Sequence, residues 1–168
     1  MQRIVVAAKS GEDQPWLADA AAQIAQQTGA AVAVVSVDGL ELEALSTVPR
    51  SELQALAQQA VDSMVAHLRE AGVEATGDVR AGHVTRGILL FAEEHEADVI
   101  VCGASTRGPV ATRILGSVPL DLVERSRRPV LVITPPHGEE ASHRTESLES
   151  NEWVEERYTY TAPMKCPR

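Results

Sequence analysis

Residues 97–134 read ADVIVCGASTRGPVATRILGSVPLDLVERSRRPVLVIT. The segment opens with a short apolar run, 98–103, and closes with a second one, 129–134, and both are rich in β-branched residues. Between them a glycine-containing loop ends at Gly116, and Ser117 is a good N-cap for a helix. The apolar residues of that helix are Val118, Leu122 and Val123. The pattern predicts a strand, a loop, a helix and a further strand, which is the unit that joins parallel strands.

The same alternation extends through the first 136 residues. The predicted strands are residues 3–8, 31–37, 75–81, 98–103 and 129–134. Three more helices carry apolar residues at three-and-four spacing: Trp16, Leu17, Ala20, Ala21 and Ile24; Leu53, Leu56, Ala57, Ala60, Met64 and Leu68; Val84, Ile88, Phe91 and Ala92. All strands but the third are apolar almost throughout, which is typical of parallel strands covered on both faces. We therefore predict a doubly wound α/β fold with an open parallel five-stranded sheet, its polar third strand at an edge.

Composition excludes several classes of protein. A net charge of −9 and an aromatic content of 3% argue against general nucleic-acid binding, which needs a basic face and stacking rings. No apolar run approaches the ~18 residues of a membrane span, and the first residues do not fit a secretory signal. Cys102 and Cys166 form neither a disulfide framework nor a metal-ligand motif. We expect a cytoplasmic protein that does not span a membrane.

The domain boundary is predicted from a change of composition after residues 134–140, TPPHGEE. Residues 1–136 are expected to form one α/β domain. The segment 137–168 is polar and lacks a repeating apolar period, although it holds Trp153, Tyr158 and Tyr160. Two interpretations remain open for this tail: a flexible segment, or one that docks on a partner.

The glycine loop has the chemistry of an anion site. Gly103 ends a strand, where a missing side chain lets a ligand approach the backbone. The N–H groups of Ser117 and Val118 open a helix, so they and the helix dipole favour a phosphate. The spacing from Gly103 to Gly108 matches a phosphate-binding loop, but the following residues are Pro-Val rather than Lys-Ser/Thr. The site is therefore predicted from geometry and not from a general nucleotide motif.

Residues 2–134 resemble the universal stress protein family in the order and spacing of these features. The family's hallmark, G-x2-G-x9-G-[ST], aligns with Gly103, with Thr106 in place of the second glycine, and with Gly116 followed by Ser117. The sequence PVLVI then matches the family's last strand, and the segment 82–105 is also similar. The resemblance implies a strand order of 3-2-1-4-5, which places the reversal of the sheet between the first and fourth strands.

Many members of the family bind ATP at that reversal, so the resemblance implies an adenine nucleotide as ligand. It gives Gly103, Thr106, Gly116 and Ser117 contacts with phosphate or ribose, and Val37 a backbone contact with adenine. Lys9 stands where members that bind nucleotide usually have an aspartate. A lysine at this position could contact a phosphate directly, and the sequence leaves open whether Mg²⁺ accompanies the ligand.

Three functional interpretations follow. The first is a stress-response regulator that binds ATP at the loops after the first and fourth strands. The second is a nucleotide-free interaction protein of the same fold, since Lys9 and Thr106 depart from the ATP-binding pattern. The third is an enzyme, with at most a weak ATPase activity, because no nucleophile and base occur in motif spacing and no catalytic residue is assigned. We also expect a homodimer formed through strand 129–134, an apolar edge without an internal charge or proline.

Overall fold

The computed structural model describes residues 1–39, 49–104 and 117–136, with the side chain of Ser117 left out. The elements in chain order are β1 (Arg3–Ala7), α1 (Pro15–Thr28), β2 (Ala31–Gly39), α2 (Arg50–Glu70), β3 (Ala75–Gly82), α3 (Val84–Glu94), β4 (Val99–Gly103), α4 (Ser117–Arg125) and β5 (Val130–Ile133). The predicted tail, 137–168, lies outside the described residues.

The sheet has five parallel strands in the order β3-β2-β1-β4-β5. The predicted α/β fold and its strand order are therefore confirmed. β3 is an edge strand, as its polar sequence indicated, and seven of its eight residues, Thr76 to Gly82, are half-buried or exposed. β1 and β4 lie inside the sheet and are buried along nearly their whole length.

Two apolar cores cover the two faces of the sheet, because successive strand residues point to opposite sides. On one face, Ile4 and Val6 of β1 pack with residues of α1 and α2, including Leu17 and Leu68. On the other face, the core of Val5 and its neighbours includes Phe91 of α3 and Leu122 of α4. The helices therefore lie in pairs, α1 with α2 and α3 with α4, on opposite sides.

Two residues of the predicted apolar stripes do not face the sheet. Leu56 of α2 is turned toward the loop after β1, where its Cδ1 lies 3.9 Å from the position that a Cβ on Gly11 would occupy. Val123 of α4 is 53% exposed. It follows the fully buried Leu122 and points about 100° away from it around the helix. Both residues belong to the apolar patterns of the sequence, and both are exposed in the structure.

The strand order reverses between β1 and β4. The chain leaves β1 for α1 on one face, whereas it leaves β4 for α4 on the other face. At the carboxyl edge of the sheet the chain therefore departs from β1 and β4 toward opposite faces. In open parallel sheets ligands bind at such a reversal.

Candidate functional site at the carboxyl edge of the sheet

Most of the predicted site residues lie at this carboxyl edge. Lys9 is exposed in the loop after β1, Val37 is buried near the end of β2, and Gly103 is the last residue of β4. Ser117 begins α4, and Val118 is half-buried against the core beneath that helix. Thr106 and Gly116 lie outside the described residues. The topology thus brings to one edge residues that are far apart in the sequence.

The main chain of Val37 faces the space beyond the end of β1. The last pair of the ladder between β1 and β2 is Ala7 with Val35, and the N–H of Ala8 donates to the carbonyl of Val35 at 2.8 Å. In a parallel sheet the backbone groups of alternate residues point to the same neighbouring strand. Val37 is therefore the next residue of β2 directed toward β1, at a level where the chain turns away into α1.

The first turns of α3 pack closely on the end of β2. A Cβ on Gly87 would lie 3.0 Å from Cγ2 of Val37, and a Cβ on Gly39 would lie 3.2 Å from Cγ2 of Val84. Each glycine thus removes a side chain at a point where helix and strand almost touch. The position of Val37 is fixed by contacts with α3 as well as by the sheet.

The loop after β1 is held by side chains of its own. Nζ of Lys9 lies 2.7 Å from Oε1 of Glu12, and both side chains are partly exposed. The N–H of Lys9 donates to Oε1 of Gln14 at 3.1 Å, and Gln14 is buried at the start of α1. Gly11 has a left-handed φ of 72°, which suits the tight turn between them. In this structure the ammonium group of Lys9 therefore forms an ion pair with the carboxylate of Glu12.

The space beside Gly103 is filled on the side of α1. A Cβ on Gly103 would lie 2.6 Å from Cη2 of Trp16 and 2.8 Å from Nε2 of Gln14. Both distances are shorter than a real Cβ contact allows, so any larger residue here would displace Trp16 or Gln14. The sequence suggested that this glycine leaves room for a ligand, whereas on this side the room is taken by α1.

A family model and solved structures match this chain. The model of the universal stress protein family matches residues 1–134. The chain belongs to the universal stress protein family. No curated protein matches the sequence.

Three solved structures illustrate the likeness. A universal stress protein from Archaeoglobus fulgidus is 27% identical with a TM-score of 0.66, and the match covers 79% of this chain and 98% of that one. The universal stress protein from Archaeoglobus fulgidus in complex with dAMP is 26% identical with a TM-score of 0.61, at 79% and 98% coverage. A family protein from Arabidopsis thaliana with AMP bound is 17% identical with a TM-score of 0.61, at 81% and 93% coverage, and shows the fold alone.

In this universal stress protein a side-chain contact ties α4 to α3. The hydroxyl of Thr85, which is buried in the first turn of α3, donates to Oδ2 of Asp121 at 3.4 Å. Both helices begin at the carboxyl edge on the same face of the sheet. The first turns of α4, with the positive end of the helix dipole, are thereby held beside the end of the sheet.

Two buried polar residues of β2 were not singled out by sequence reasoning. Ser36 and Asp38 are 1% and 7% exposed, and by alternation their side chains face α1 and α2. Within the described part of the chain, neither the Oγ of Ser36 nor the Oδ1 of Asp38 has a hydrogen-bond partner. A buried polar group without a partner typically costs about 1–3 kcal/mol. The end of β2 thus carries an acceptor that the described residues leave unsatisfied.

Cys102 has a structural environment and not a reactive one. It is buried in the core beneath α3 and α4, and burial raises the pKa of its thiol to about 11. The thiolate, which is the reactive form, is therefore almost absent at neutral pH. Over the described ranges no group of three His, Cys, Asp or Glu side chains could hold a metal ion, and no helix there is long and apolar enough to cross a membrane.

Proposed function

We propose that this universal stress protein binds an adenine nucleotide, ATP in the first place, and acts as a cytoplasmic stress-response regulator. The observation that supports the proposal is the position of Val37, whose main chain is directed toward β1 beyond the last β1–β2 pair, at the reversal of the strand order. The relative from Archaeoglobus fulgidus solved with dAMP, 26% identical, supports the choice of an adenine nucleotide.

The proposed contacts follow the order of the strands. The main chain of Val37 would bind the base, and Lys9 would lie at the ribose or the first phosphate. At the other end, the N–H groups of Ser117 and Val118 at the start of α4 would bind phosphate oxygens. The remaining contacts would come from the loop after β4: Gly103, Thr106 and Gly116. A Lys9 that binds phosphate must leave Glu12, which now lies 2.7 Å away.

Calorimetric titration tests the proposal. We expect wild-type protein to bind ATP, to bind AMP more weakly because fewer phosphate contacts form, and to bind GTP more weakly still. Gly116→Val should abolish ATP binding while the far-ultraviolet circular dichroism spectrum stays unchanged. Absence of ATP binding by folded wild-type protein, with and without Mg²⁺, would contradict the proposed function. Unchanged affinity in Gly116→Val would contradict the phosphate assignment.

A second candidate is a nucleotide-free interaction protein that works as a homodimer. Two observations favour it: the ion pair between Lys9 and Glu12, and the filled space beside Gly103. Protein purified without added ligand, then denatured and examined by mass spectrometry, separates the two functions. Released adenine nucleotide in near-stoichiometric amount supports the first, whereas its absence together with failed titrations supports the second.

Gly87→Ala should weaken ATP binding several-fold without unfolding the protein. The added methyl group meets Val37 at 3.0 Å and must displace the strand residue whose main chain we assign to the base. Alanine is better than glycine in a helix by roughly 1 kcal/mol, so stability is expected to change little. The double variant Gly87→Ala/Val37→Ala should recover the affinity, because it restores the space. Titration of ATP into wild type and the two variants measures these affinities. Equal affinities in wild type and Gly87→Ala would count against the assignment of Val37 to the base.

We further propose that residues 1–136 fold independently of the tail, 137–168. All five strands and the four described helices end before Pro136. A chain truncated after Pro136 is expected to melt within a few degrees of the full chain. A large loss of melting temperature would show instead that Trp153, Tyr158 or Tyr160 contributes to the stability of the domain.

A further inference from the structure

Gln14 lies between the end of β1 and the end of β4. Its Oε1 accepts from the N–H of Lys9 at 3.1 Å, which fixes the main chain where β1 ends. Its Nε2 lies 2.8 Å from the position of a Cβ on Gly103, at the end of β4. The residue is only 6% exposed, so this amide is buried between the two strand ends.

Trp16 fills the space beside Gly103 on the same side. Its Cη2 and Cζ2 atoms lie 2.6 and 3.3 Å from the Cβ position of Gly103, and its ring packs against the core beneath α1 and α2. A ligand cannot reach Gly103 from that side while Trp16 stays in place. The opposite side is where α4 begins and where Val118 and Val37 lie. The two sides of the strand end are therefore not equivalent.

We propose that Gln14 is a positioning residue of the nucleotide site, and that the nucleotide enters from the side of α3 and α4. In this role Gln14 fixes the main chain of Lys9 by its hydrogen bond and occupies the space beside Gly103, while Trp16 blocks the side of α1. This inference rests on the proposed function for its ligand. The positioning itself is a property of the protein without ligand, and it can be measured separately.

The test uses two variants at Gln14 and a matched control. Gln14→Met keeps the length of the side chain and removes both hydrogen-bonding groups, whereas Gln14→Glu keeps an acceptor for the N–H of Lys9. Gln23→Met changes an exposed glutamine of the same helix. In ligand-free protein we expect the amide proton of Lys9 to exchange faster in Gln14→Met, and at the wild-type rate in Gln14→Glu and Gln23→Met. The affinity for ATP should fall about tenfold in Gln14→Met and stay unchanged in Gln23→Met.

Fluorescence reports the side of entry. In a Trp153→Phe background Trp16 is the remaining tryptophan, since the sequence has two. We expect ATP at saturation to leave quenching of Trp16 by acrylamide unchanged. A marked increase in quenching would show that the nucleotide displaces the ring, and would overturn entry from the side of α3 and α4.

A failure of the role of Gln14 can be distinguished from a failure of the proposed function. Wild-type protein that does not bind ATP refutes that function, and the exchange rate of the Lys9 amide then decides alone whether Gln14 positions the loop. Wild-type binding with an unchanged exchange rate or an unchanged affinity in Gln14→Met refutes the role of Gln14.

Discussion

Gly103→Ala should destabilise the protein by about 1–3 kcal/mol and reduce its affinity for ATP at least tenfold. The added Cβ would lie 2.6 Å from Cη2 of Trp16 and 2.8 Å from Nε2 of Gln14. Inserting a methyl group into a filled space of this kind typically costs about 1–3 kcal/mol. Relief of the clash must displace Trp16, Gln14 or the end of β4, and each of these displacements alters the proposed site. Urea unfolding and ATP titration measure the two effects.

A compensating substitution separates this clash from other effects of the alanine. Gly103→Ala/Trp16→Leu removes the ring that the new Cβ would meet, and should be more stable than the sum of the two single substitutions predicts. Additive free energies of unfolding in the double variant would show that the methyl group does not contact Trp16. That result would also weaken the argument that α1 closes this side of the site.

Leu131→Lys should raise the dissociation constant of the proposed homodimer about a hundredfold, which corresponds to about 2.7 kcal/mol. Among the described residues β5 pairs with β4 alone, so its outer N–H and C=O groups lie at an edge of the described sheet. Leu131 is 39% exposed at this edge. Antiparallel pairing of two such strands about a two-fold axis would satisfy both edges and bring the two leucines into or near one interface. A lysine there is a well-known device against edge pairing.

Leu90→Lys is the matched control for this substitution. Leu90 lies on α3, away from β5, and is 46% exposed. We expect Leu90→Lys to remain a dimer in sedimentation velocity experiments at tens of micromolar, whereas Leu131→Lys becomes a monomer. Monomeric wild-type protein at that concentration, or a dimeric Leu131→Lys, would exclude pairing through β5.

The architecture of the domain could be predicted because burial leaves a periodic trace in the sequence. β1 and β4 read as unbroken apolar runs since helices cover both of their faces. β3 reads as polar since it lies at an edge. The order of the strands required the family resemblance, because the local pattern of each strand is the same whichever neighbour it pairs with. Val123 was grouped with Val118 and Leu122 since a short helix offers too few turns to define its buried face.

The contacts of the candidate site could be predicted only in part. Gly103 and Val37 were placed at the site from the glycine pattern and the family resemblance. Neither the pattern nor the resemblance shows which side chains fill the space around these two residues. The contact between Gly103 and Trp16 joins residues 87 positions apart and depends on how α1 packs on β4. The role of Gln14 depends on the same packing, since a glutamine at a helix start has no distinctive sequence signal. Gly87 was part of an apolar helix in the sequence, and only the distance to Val37 shows why it is a glycine.

Nuclear magnetic resonance of ¹⁵N-labelled wild-type protein, titrated with ATP, tests the central claim most directly. We predict that the largest amide shifts occur at Lys9, Val37, Gly103 and Val118, which are distant in the sequence and meet only at the carboxyl edge of the sheet. The amides of Arg3, Ala31 and Val99 at the opposite edge should serve as internal controls and stay unchanged. Shifts confined to the opposite edge, or no shifts at saturating ATP, would contradict a nucleotide site at the reversal of the sheet.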